Sequence, residues 1–284
     1  MRKKTMLFLM IAAFALAIAP AACKAGDSGD DNGSTGDDGS KGASSLPSNA
    51  KVIYLHHSTG GVVWGGGVSD LLSDYDTKGG KSYSIIELAY PDSPYPWQNY
   101  PYDYWHLWVQ GGGQATAESV PTLETFASEY NVIVFKHCFP VSGIEADTGS
   151  PDITSQDKTI ENYKLQYNAI KKRLHDFPNN RFIVWTGAAE LGTPSNNANG
   201  ARARQFFQWV KNDWDEKGDN IYVWDFYELE TEGGDFLLPA YSADAVGGDS
   251  HPSAAFAATV APLFVKRLTD VIDGRGDSGS LTGK

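Results

Sequence analysis

The sequence predicts an α/β domain: a three-layer α/β/α sandwich built on a five-stranded parallel sheet. Three observations predict it. Short runs of β-branched and aromatic residues recur along the chain, and amphipathic helical stretches separate several of them. The runs are apolar throughout rather than alternating, as strands covered on both faces must be. Between two polar ends lie about 225 residues, enough for one such domain with a sizeable core.

Val52–His56 reads as the first strand, followed by a helix over Val68–Tyr75, and Ser84–Ala89 as the second. The stretch Tyr90–Gly113 is irregular: Pro91, Pro94, Pro96 and Pro101 exclude a regular helix or strand interior. A short amphipathic helix over Ser119–Glu129 leads to the third strand, Val132–Phe135. Thr159–His175 carries Ile160, Tyr163, Tyr167, Ile170 and Leu174 at helical spacing and precedes the fourth strand, Phe182–Trp185. Ala201–Trp214 is helical, Ile221–Trp224 is the fifth strand and Ala254–Ile272 the closing helix.

The ends read differently. Residues 1–22 have a basic start (Arg2, Lys3, Lys4), an apolar run from Met6 to Ala19 and two small residues before Cys23, the pattern of an export signal. A cysteine directly after Ala21 and Ala22 resembles the bacterial lipobox, which implies lipidation of Cys23. Lys24 after it resembles outer-membrane sorting in a Gram-negative host, so the expected location is the cell envelope, at the outer membrane or cell surface. The rest of 23–50 is rich in Gly, Asp and Ser and reads as a flexible tether, 51–273 as the folded domain and 274–284 as a disordered tail. Cys23 and Cys138 are the two cysteines, so a lipidated Cys23 leaves no intrachain disulfide. The formal net charge of −12 argues against nucleic acid and anionic membrane surfaces as partners. A monomer that touches membrane through its anchor alone is expected.

Ser58 closes the first strand in His57-Ser58-Thr59-Gly60, where an open α/β sheet places its ligands. A serine hydroxyl needs a base within hydrogen-bond reach to act as nucleophile. His251, in Gly248-Asp-Ser-His-Pro252, can serve, with Asp249 holding its other ring nitrogen. The plainer readings are that Ser58 or Thr59 caps a helix and that Pro252 and Ser253 start the last one. His56, His57, Asp249 and His251 could instead gather a metal, but adjacent strand residues point to opposite faces, and no metal or other cofactor is expected. Cys138, beside His137, reads as buried filler.

With Ser58 after the first strand and His251 before the last helix, the chain resembles the SGNH (GDSL-like) hydrolases over Lys51–Ile272. The resemblance rests on two blocks. His57-Ser58-Thr59-Gly60 stands where that family has Gly-Asp-Ser, and Asp249-Ser250-His251-Pro252 where it has Asp-x-x-His-Pro. It implies a flavodoxin-like fold, Ser58 as nucleophile, His251 as base and Asp249 as its orienter. Ser58, Gly60 and Ser142 are then the candidate oxyanion donors. The chain departs from the family at His57, at the shorter Asp249–His251 spacing, and after the third strand, where Lys136-His-Cys-Phe-Pro-Val-Ser142 holds no asparagine. In the aromatic stretch, Trp97, Tyr100 and Trp105 are the candidates for stacking on a sugar. The expectation is an exported serine esterase that removes acetyl or other short acyl groups from a small-molecule or polysaccharide ester. The alternatives are a non-catalytic polysaccharide-binding lipoprotein on the same fold, and a lipase or thioesterase.

Overall fold

The computed structural model describes residues 44–111 and 120–284. The expected signal, Cys23 and the tether up to residue 43 lie outside the described residues. The elements run β1 (Lys51–His56), α1 (Thr59–Trp64), α2 (Val68–Gly79), β2 (Ser84–Ala89), α3 (Pro101–Trp105), α4 (Leu123–Glu129), β3 (Val132–Phe135), α5 (Ile160–Leu174), β4 (Arg181–Trp185), α6 (Asn197–Trp209), β5 (Ile221–Trp224), α7 (Phe226–Thr231), β6 (Ser242–Asp244), β7 (Asp249–Pro252) and α8 (Ala254–Ile272).

All five expected strands form one parallel sheet in the order β2-β1-β3-β4-β5. The chain leaves β1 to one side and returns to pair β3 on the other. That reversal opens a crevice at the carboxyl ends of β1 and β3, where sheets of this order bind their ligands.

Strand alternation sorts the core into two layers. Ile53, Leu55, Ile133, Phe135, Phe182, Val184, Ile221 and Val223 pack on the face covered by α3, α4, α5 and α6. Val52, Tyr54, Val132, Val134, Ile183, Trp185, Tyr222 and Trp224 pack on the face covered by α1, α2 and α8. There Trp185 meets Tyr54 at 5.1 Å and Trp224 at 4.2 Å between ring centroids, and Phe264 of α8 closes over all three. Rings of this size with offset or edge contacts account for much of the buried apolar area.

Three expectations need correction. The proline-rich stretch does contain helix: α3 starts at Pro101 and continues as a wide turn to Gln110. Proline is well placed there, because the first helical N–H has no partner to lose. Asp103, buried, organises the approach by accepting from the backbone N–H groups of Gln98 (2.9 Å) and Tyr100 (3.3 Å) and from the Tyr95 hydroxyl (3.1 Å).

The tail 274–284, polar in composition, is seated rather than free. Leu281 O accepts from Asp225 N (2.8 Å), Thr282 O from the Trp224 indole (3.1 Å) and Gly276 O from the buried Arg267 guanidinium (2.5 Å). The tail supplies acceptors that buried donors beside β5 require. The end of the expected tether is also placed, with Leu46 N donating to Ile272 O (2.8 Å) and Ser82 N to Ser48 O (2.8 Å). Composition misses such segments because much of the contact is made by their backbone, with single apolar side chains such as Leu46 and Leu281 packing on the core.

Candidate active site

Between the end of β1 and the start of α1 only His57 and Ser58 remain to turn the chain. Ser58 takes φ +43° and ψ −100°, a left-handed conformation that side chains other than glycine rarely adopt. The turn is tied by Gly60 N donating to His57 O (2.9 Å) and Val62 N to Ser58 O (3.1 Å). Gly60 is where the helix passes over the strand, since a Cβ there would lie 2.5 Å from both His56 Cβ and the Tyr54 hydroxyl. Gly60→Ala is therefore expected to cost about 2 kcal/mol through overpacking. A urea midpoint unchanged in that variant would show that the contact relaxes freely.

The antiparallel pair β6–β7, not foreseen in the sequence, carries the other two groups. Residues two apart on a strand face the same side, so the short Asp249–His251 spacing brings the two side chains together. The Ser58 hydroxyl donates to His251 Nε2 at 2.6 Å, and His251 Nδ1–H donates to Asp249 Oδ1 at 2.6 Å. Asp249 Oδ1 also accepts the His251 backbone N–H at 2.9 Å. These two bonds, the backbone one foremost, hold the Asp249 carboxyl below its ordinary range. The strand is anchored from behind: Ser242 Oγ donates to Asp249 O (2.6 Å), and Ser250 Oγ accepts Leu191 N (3.0 Å). Phe139 stands edge-on to the His251 ring, 5.1 Å between centroids. Ser58 itself is exposed.

Other expected residues lie elsewhere. The Gly60 N–H is spent on His57 O, so it is not free for an oxyanion. Ser142 is buried, its hydroxyl donating to Ala188 O at 2.6 Å. The Ser58 N–H has no partner among the described residues. Tyr100 and Trp105 are core residues, 1% and 5% exposed, because α3 turns both inward. Trp97 stays 36% exposed, its ring parallel to that of His57 with centroids 3.6 Å apart.

Of the four groups considered for a metal, Asp249 and His251 meet, but the two β1 histidines turn to other partners. His56 Nε2 meets Glu87 Oε2 at 2.8 Å, while His57 Nε2–H donates to Pro91 O at 2.5 Å. Burial lowers both histidines, His56 to about 3, so both stay neutral near pH 7. Cys138 is buried, as filler would be.

Sequence reasoning passed over Lys136, which lies behind the Ser58 turn, and Glu230 on α7, both completely buried. Burial lowers Lys136 from its ordinary value and pushes Glu230 up to about 8. A lysine directly after the apolar run Val132–Phe135 was the available signal.

No protein-family model matches this sequence, and no curated protein does. Among solved structures, the chain is similar to a gut microbial diltiazem-metabolizing enzyme at 11% identity and a TM-score of 0.47, over 83% of this chain and 49% of that one. It thus spans about half the length of that protein. It is also similar to a protein of Bacteroides fragilis provisionally named an acylhydrolase, at 13% identity and a TM-score of 0.42, over 82% of this chain and 92% of that one. At these values neither likeness bears on what the site does.

Proposed function

We propose that the protein is a serine ester hydrolase of the cell envelope that removes acetyl or other short acyl groups from carbohydrate. The observation that carries this reading is the Ser58–His251–Asp249 chain of two 2.6 Å hydrogen bonds at the crevice between β1 and β3. With Nδ1–H directed to Asp249, Nε2 keeps its lone pair for the Ser58 proton. The Ser58 oxygen then bonds to the acyl carbon while its proton passes to His251. The carbonyl electrons collect on an oxyanion facing the Ser58 N–H. Collapse expels the alcohol, which takes the proton from His251. Water, deprotonated by the same ring, frees the carboxylic acid and restores Ser58.

An exposed serine beside an exposed indole suits an ester carried on a soluble polymer. Trp97 is the surviving candidate for stacking on a sugar, held by His57 one residue from the nucleophile. The wild-type chain is expected to turn over both 4-nitrophenyl acetate and an O-acetylated oligosaccharide. In Trp97→Ala the KM for the oligosaccharide should rise ~10-fold, roughly the worth of one aromatic contact, with the aryl ester little changed. Glycan binding without turnover of either ester would favour a binding protein, and preference for long-chain esters a lipase. The envelope location and lipid anchor on Cys23 belong to the same proposal; labelled palmitate incorporated by wild type and not by Cys23→Ser would support them.

A further inference from the structure

We infer that Lys136 is a positioning residue for the oxyanion: from beneath, it fixes and polarises the peptide between His57 and Ser58. This rests on the esterase reading above and deepens it.

Lys136 follows the last residue of β3 and continues the side of the strand that bears Val132 and Val134, the face covered by α1. It is 0% exposed and forms no ion pair among the described residues. Its Nζ donates to His57 O at 3.1 Å and lies 3.5 Å from Cys138 Sγ. The charge of Glu230 reaches it only at longer range than an ion pair. Burying an amine without a paired carboxylate is costly, and such a group calls for a reason.

The geometry supplies one. In a trans peptide the C=O and N–H point in opposite directions. The His57 carbonyl is turned inward, where it accepts both Lys136 Nζ and Gly60 N (2.9 Å). The Ser58 N–H of the same peptide is therefore turned outward, to the side where Ser58 is exposed and meets His251. Two donors on one carbonyl oxygen draw charge through the amide and strengthen its N–H as a donor. That donor is the one an oxyanion on Ser58 would use, and its worth grows as negative charge develops. The same two bonds hold Ser58 in its disfavoured φ of +43°.

The test is Lys136→Met, which keeps the length of the side chain and removes its donors. The reaction of Ser58 with a fluorophosphonate and the hydrolysis of 4-nitrophenyl acetate are measured on wild type and variant, with circular dichroism as the check of folding. Expected is a folded variant whose phosphonylation rate and kcat both fall ~10–100-fold, part of the loss seen when an oxyanion donor is removed outright, with KM unchanged. A folded variant that keeps both rates within about twofold, or changes KM alone, would overturn the inference. Should the methionine variant not fold, Lys136→Ala is assayed with added ethylamine: recovery of rate supports the role, and no recovery refutes it. A wild-type chain inert to the fluorophosphonate removes the esterase reading and this inference with it. That outcome is distinct from a reactive wild type with an insensitive variant.

Discussion

Ser58→Ala and His251→Ala are each expected to lower hydrolysis of 4-nitrophenyl acetate by ~10⁴–10⁶-fold in kcat, and the double variant by no more than either alone. The two side chains form one proton-transfer unit, joined by a 2.6 Å bond, so removing either end removes the whole. Asp249→Ala should cost less, ~10²–10⁴-fold, because its carboxylate is partly open to water, with 40% of the side chain exposed. Orientation of the ring is lost there, but solvent can still stabilise the imidazolium. Steady-state kinetics with a pre-steady-state burst measure these losses directly. Losses that multiplied in the double variant would mean that Ser58 and His251 act separately, and full activity in Ser58→Ala would remove the nucleophile assigned here.

The strands were legible because burial on both faces writes itself into composition: Val132-Ile-Val-Phe135 and Arg181-Phe-Ile-Val-Trp185 admit few other readings. Ser58 and His251 were legible as positions, since strand ends and short loops are where an open sheet gathers its chemistry. Their convergence on one sheet edge was expected too, and they meet at 2.6 Å. What was not legible is the β6–β7 hairpin that carries His251, whose strands are too short to show a period. The aromatic stretch shows the opposite limit. Composition marks Trp97, Tyr100 and Trp105 alike, yet the helix after Pro101 buries two of them and leaves one outside. Ser142 illustrates a third limit: its hydroxyl answers to Ala188, some 46 positions away in sequence, and no local pattern announces such a partner.

The largest expected effect on stability concerns Glu230. On α7 it is 0% exposed, with Oε2 accepting Ala189 N at 2.7 Å and Oε1 without a partner among the described residues. Burial pushes its carboxyl from 4.5 up to about 8, against the pull of the Ala189 N–H and of the Lys136 charge. Between those pH values the folded protein keeps a proton that the unfolded chain has shed, so the contribution is fully present below 4.5 and lost as pH rises through 8. At about 1.4 kcal/mol per unit, the loss is on the order of 5 kcal/mol. Buried neutral His56 and His137, each lowered to about 3, act in the opposite sense: their contribution is lost as pH falls from the ordinary 6.5 toward 3. Lys136, also lowered, opposes Glu230 toward alkaline pH. Glu230→Gln isolates the one group, since it keeps an acceptor for Ala189 N and cannot ionise. Urea unfolding at pH 5 and pH 8.5 should show wild type losing stability relative to the variant across that interval. Parallel curves would mean that Glu230 remains ionised against Lys136, which would then stand as a full cation behind the Ser58 turn.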